Sequence, residues 1–271
     1  MNGPVLGCVM VLASLFSYEI GAQNIALESR EYKVGIAVDR VPREATTVAE
    51  AIRKRLNLIK KIEPLSKKQS QVQFFDTSSC ALARNAMLLR ARTKSSGQPR
   101  LTLKIRNADI LTVDTMPIAL ANKKSVPIED DYGIGTDGKP VSNFSKSFSF
   151  DGAVPNRQAD ISSQIVNLER FGVGFSQQPL RSGPQVAETV FVSKPVVITD
   201  ELAAEVEISL WYEQAGGALL AADVSFTVEA PFDYLQLQAA DKLLLDFSEA
   251  LGDFRGTTAE KALAVIPAFC R

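Results

Sequence analysis

Arg90 and Arg92 in "LLRART" stand two residues apart, and so do Lys104 and Arg106 in "RLTLKIR". In an extended chain, residues i and i+2 share a face. Two such strands joined through "KSSGQP", a link with hairpin chemistry, would crowd four cations on matching faces, with Thr102 joining the Lys104 side. Like charges facing one another across a ladder destabilise it, so something anionic must answer them. From Ser78 to Ala108 the chain has no acidic residue, and from Thr199 to Asp241 it has no basic one. Glu205 and Glu207 form an acidic pair at the same spacing. One isolated charged pair reads as the solvated side of a sheet. Several together admit two richer readings, an internal salt-bridge network or a bound anion. Arg and Lys along one wall would hold phosphate oxygens, Arg by its planar fork and Lys as a point charge. Glu on another wall would hold a hard divalent cation, Mg²⁺ or Mn²⁺, which bridges carboxylate and phosphate oxygens.

The remaining composition narrows the chemistry. The chain contains no histidine, which removes Ser-His and Cys-His nucleophiles, His-ligated zinc and the usual neutral-pH proton shuttle. Its 30 basic and 31 acidic residues leave a net charge of −1, so no bulk field points to nucleic acid or an anionic membrane. The 271 residues, 46% of them hydrophobic, suffice for a substantial core.

Elements that must position these residues follow from periodicity. "REYKVGIAV" alternates as a strand, and 46–62 has helical spacing with Thr46 or Thr47 as N-cap. "QVQFFDT" reads as a strand, "SSCALARNAM" as a short helix or turn. In 107–185, "SVPIEDDYGI" and "KSFSFDG" read as strands and "DISSQIVNLERF" as a helix, before "SQQPLRSGPQ" as a loop. Strands return in "AETVFVSKPVVI", "AEVEISLWYE" and "LLAADVSFTVE", the last two joined by a Gly-Gly hairpin. Two amphipathic helices, "YLQLQAADKLLLDFSEAL" and "TTAEKALAVIPAF", close the chain. The pattern is α+β with a closed or nearly closed sheet.

Residues 1–22 carry an apolar run and a small-residue site after Ala22, the pattern of a secretory signal peptide, too short for a comfortable transmembrane span. The alternatives are a buried N-terminal element or, less well placed, a lipid attachment at Cys8. The organisation expected is therefore a signal peptide at 1–22 and a single domain over 23–271, with a variable insert at 107–185 and terminal helices over 232–271. Its localisation would be periplasmic or secreted. Cys80 and Cys270 then remain as a pair, either a disulfide or two unlinked thiols.

"QFFDTSSCALARNAMLLRART…RLTLKIR" resembles the central signature of the CYTH superfamily, the triphosphate tunnel metalloenzymes. "REYKV" stands where that family has its opening Glu-x-Glu-x-Lys strand, and "EVEIS" resembles its late Glu-x-Glu strand. The resemblance implies an antiparallel eight-stranded closed or nearly closed β-barrel, or tunnel, with flanking and C-terminal helices. It implies a metal-dependent phosphohydrolase acting on a triphosphate or polyphosphorylated small molecule, with Mg²⁺ or Mn²⁺ as cofactor. On that basis Lys33, Arg90, Arg92, Lys104, Arg106 and Lys194 would bind substrate, and Glu31, Glu205 and Glu207 would ligate metal. Glu205 and Glu207 would also align the attacking water. Glu129 and Asp131 are further candidates, with a solvated strand end as the favoured reading. One departure is plain: the inward set of the opening strand reads Ser29, Glu31, Lys33, and Glu28 points to the wrong face unless a bulge shifts it. The alternatives are a non-catalytic anion-binding protein with a decayed metal site, and a structural domain whose inner charges satisfy one another. Neither nucleic acid nor stable membrane insertion is expected. Trp211, Tyr212 and Phe226 read as core, with base stacking as the alternative use.

Overall fold

The computed structural model describes residues 25–256, apart from 64, 95, 96, 123, 124, 136, 175 and 215, together with Cys270. The expected signal peptide and the second terminal helix, over 257–269, lie outside the described residues. Among the described residues nine strands form the barrel ring: β1 (Leu27–Ile36), β2 (Ser66–Asp76), β3 (Met87–Lys94), β4 (Arg100–Asn107), β5 (Ile128–Ile134), β6 (Pro140–Asp151), β7 (Val186–Val192), β8 (Glu207–Tyr212) and β9 (Leu219–Glu229), and two two-residue strands, Arg181–Ser182 and Arg255–Gly256, add to β2 and β1. Among the described residues five α-helices accompany them: α1 (Ala45–Leu56), α2 (Ala81–Arg84), α3 (Ile110–Thr115), α4 (Gln158–Ser162) and α5 (Tyr234–Leu251).

Around the ring the strands run β7, β8, β9, β1, β5, β6, β4, β3, β2, and the pairing of β2 with β7 closes the barrel. The expected count of eight antiparallel strands is corrected by this order. Nine strands cannot all alternate in direction around a closed ring, so one parallel pair is required, and β1 with β5 supplies it. Both β5 and β6 come from 107–185, so the stretch read as an insert provides two staves of the barrel.

Most strands have one apolar and one polar face, and the polar faces line the interior. On β3, Met87, Leu89 and Ala91 are buried against α2 and α4, whereas Leu88, Arg90 and Arg92 have the opposite parity. On β1, Tyr32, Val34 and Ile36 pack outward with Val48, Ile52 and Leu56 of α1 and Leu244 and Phe247 of α5. The main cores therefore lie outside the barrel, between its wall and the helices.

Local details differ from expectation in two places. The cap of α1 is Glu44, two residues ahead of Thr46, and its carboxylate accepts hydrogen bonds from Thr46 N and Thr47 N. The helix read over "DISSQIVNLERF" is broken: α4 ends at Ser162, and Asn167 adopts a left-handed conformation before a short turn over Leu168–Phe171. Cys80 and Cys270 form a disulfide, with Cα atoms 5.4 Å apart.

Candidate functional site: a charged barrel interior

Register places the predicted charges around one space. Asp131 stands beside Glu31 across the parallel β1–β5 pair, and Ser225 separates Lys33 from Glu207 on the other flank. On the far wall Thr102 faces Arg90, and Ser145 and Ser147 of β6 face Arg106 and Lys104. Glu31, Lys33, Arg90, Arg92, Lys104, Arg106 and Glu207 thus share the interior.

Most of these charges answer one another. Lys33 Nζ lies 2.8 Å from Glu31 Oε2. Lys104 Nζ is 3.0 Å from Asp131 Oδ2 and 3.4 Å from Glu129, and Arg106 Nε reaches the same Asp131 oxygen at 3.0 Å. Asp131 is therefore no solvated strand end, and neither is Glu129: β5 sits between β1 and β6 and turns both inward. Arg92 donates to Glu188 at 2.8 Å, and Glu188 also accepts from Trp211 Nε1 at 3.0 Å and Ser70 Oγ at 2.6 Å. Glu188 was not singled out in the sequence. Its signal was one acid at inward parity in the otherwise apolar "AETVFV".

Arg90 is different. No ion pair or side-chain hydrogen bond reaches its guanidinium among the described residues, and beside it the buried Nε of Arg92 has no hydrogen-bond partner among them either. Burial, with repulsion from Arg92, lowers the Arg90 pKa to about 10, so it stays cationic at neutral pH. Burial also lowers Lys104, partly offset by Asp131. Burial works to raise both the Asp131 and Glu31 carboxyls, but neighbouring cations prevail and hold both below the usual range: Lys104 and Arg106 at Asp131, Lys33 at Glu31. Glu207 goes the other way. Burial raises its carboxyl, and the nearby Glu31 and Glu205 add to the rise against Lys68.

Two predicted residues lie apart from the interior. Lys194 follows β7, is exposed and faces Glu63 electrostatically, while Glu205 is exposed at the approach to β8. A bulge does occur on β1 between Leu27 and Ser29, but Glu28 lines an outer cleft with Asp114 and Ser125. Phe226 stacks on Tyr32 at 4.8 Å in the outer core, and Trp211 joins Val72, Phe74 and Val186 in an apolar cluster inside the barrel.

Of the predicted donors for a divalent cation, Glu31 and Glu207 face the interior, and Glu205 lies apart from them. Hard carboxylate oxygens fit such an ion chemically, and the Glu207 carboxyl is raised first by burial and then by the nearby Glu31 and Glu205. The site is not preassembled: among the described residues no group of three or more Asp, Glu, His or Cys side chains is placed to hold a metal.

Fold and interior together define a closed β-barrel whose lumen holds opposed cations and carboxylates with one guanidinium left over. No protein-family model matches the chain, and no curated protein matches it. Among solved structures it is similar to a proposed adenylyl cyclase from Hippeastrum, described as having a dominant triphosphatase activity, at 13% identity and a TM-score of 0.48 over 90% of this chain and 99% of that one. It is also similar to a proposed adenylate cyclase from Bacillus halodurans, at 14% identity and a TM-score of 0.39 over 82% and 92% of the two chains. A third, from Vibrio parahaemolyticus, shares 11% identity at a TM-score of 0.39 over 88% and 97%. The likeness is distant in each case and assigns no residue a role.

Proposed function

We propose that this protein is a divergent CYTH-type tunnel phosphohydrolase that takes a triphosphate or other polyphosphorylated small molecule into the barrel. The observation that carries this reading is the unpaired Arg90 beside the half-satisfied Arg92. A buried cation left without a partner costs stability unless something anionic arrives, and phosphate oxygens suit guanidinium forks. Arg106 and Lys104, already shared by Asp131, would extend the cradle along β4.

Catalysis here would be electrostatic. The guanidinium groups stabilise charge on the transferred phosphoryl oxygens, and Glu207 orients the attacking water from the facing wall. Its raised carboxyl makes it a better proton acceptor than an ordinary glutamate, provided it is ionised at the working pH. Glu31 and Glu207, the two predicted donors that face the lumen, would hold a Mg²⁺ or Mn²⁺ ion, which when bound supplies further neutralisation of phosphate charge. The pattern at 1–22 supports action in the periplasm or outside the cell. No helix among the described residues is long and apolar enough to cross a membrane.

The second reading, binding without turnover, is favoured by the Glu31–Lys33 pair, which engages a carboxylate that metal would need, and by Ser29. A phosphate-release screen over tripolyphosphate and nucleoside triphosphates with Mg²⁺ and Mn²⁺, on protein begun at Gln23, separates the two. Hydrolysis lost in Arg90→Ala with Lys104→Ala supports the enzyme. Calorimetric binding of tripolyphosphate without release supports the second reading, and neither binding nor release rejects both.

A further inference from the structure

The two helical layers leave one stretch of barrel wall bare. It lies at one end of that wall, where Gln71 of β2 stands between Thr93 of β3 and Ala187 of β7, and Ala187 stands beside Tyr212 of β8. The Arg43–Ala45 segment entering α1 and the hairpin at Gly216–Ala218 wall it in, and the resulting groove has a volume of about 850 Å³. Small-molecule sites span roughly 300–1,000 Å³.

At its floor Tyr212 is 5% exposed, yet its hydroxyl has no hydrogen-bond partner among the described residues. Burial, reinforced by the Glu44 carboxylate, pushes this phenol up to about 12, so it remains a donor at neutral pH. The groove also carries Arg43, Lys67 and Lys94, all exposed. Two acids line it: Glu44, which already accepts the first amides of α1, and Glu188, which already accepts from Arg92, Ser70 and Trp211. Gln71 and Thr189 add amide and hydroxyl groups along the wall, and Tyr212 and Ala187 offer it an apolar floor.

We infer that this groove is a second binding site, separate from the lumen, for a hydroxyl-rich organic anion of the class of phosphorylated or carboxylated sugars. Tyr212 donates to a ligand oxygen at the floor, the three cations hold the anionic group, and Gln71 with Thr189 serve the hydroxyls. This inference does not depend on catalysis in the barrel.

Isothermal titration with glucose 6-phosphate and with glucuronate tests it. Saturable binding of at least one is expected, weakened at least about tenfold in Tyr212→Phe and in Arg43→Gln with Lys67→Gln, and unchanged in Arg90→Gln. The paired surface variant keeps the test valid should Tyr212→Phe fold poorly. Preference between the two probes reports which anionic group the cations favour. The inference is overturned by no saturable binding of either probe, by binding that survives the surface variant, or by binding lost in Arg90→Gln, which would place the ligand in the lumen.

Discussion

Arg90 and Asp131 show how side chains of one interior differ in what they cost. Arg90 makes no ion pair or side-chain hydrogen bond among the described residues, and burial with repulsion from Arg92 outweighs the attraction of Glu188 and Glu31, so in Arg90→Gln stability should hold or rise in urea denaturation, while tripolyphosphate affinity falls at least about tenfold by calorimetry. Asp131 holds two cations, so Asp131→Asn leaves Lys104 and Arg106 without their main carboxylate and should cost about 2–3 kcal/mol. Its carboxyl is depressed in the folded state, so its contribution is present above the ordinary aspartate pKa and drains away as pH falls through and below that range. The urea midpoint of the parent should therefore drop more between pH 5 and pH 3 than that of Asp131→Asn. Glu207 has the opposite sign. Protonating its raised carboxyl removes a negative charge from the lumen, so anion binding should strengthen as pH falls from neutral toward the upper end of the carboxylate range, and Glu207→Gln should flatten that dependence.

At the scale of elements, strand alternation explains why charged residues and a well-packed core coexist in one sheet. β1 carries Glu31 and Lys33 inward and Tyr32 and Val34 outward, so its two chemistries never compete for space. α1 docks by Val48, Ile52 and Leu56, and its N-terminus is secured by Glu44. Glu44→Ala should lower the urea midpoint through loss of that cap.

For the molecule as a whole, the disulfide is the long-range tie. It links Cys80 at the entrance to α2 with Cys270 across a sequence separation of 190. Loop-closure entropy puts its ceiling near about 5 kcal/mol. Urea unfolding with and without reductant should reveal a large part of that, with the reduced protein the less stable. The barrel itself removes sheet edges by closing β2 on β7.

Periodicity alone determined most strands, the amphipathic α5 and the inward parity of Arg90, Arg92, Lys104 and Arg106, because strand geometry fixes which residues share a face within a few positions. It left the helix in "DISSQIVNLERF" wrong, since apolar spacing does not register the left-handed turn at Asn167. Only the tertiary structure decided what answers the cations. Asp131 reaches Lys104 and Arg106 across 27 and 25 residues of chain, and Glu188 reaches Arg92 across 96. Such pairings follow from the order of strands around a ring, and the strand count makes one parallel pair unavoidable. Local sequence carries the charge of each wall, whereas the match between walls arises only when the ring closes.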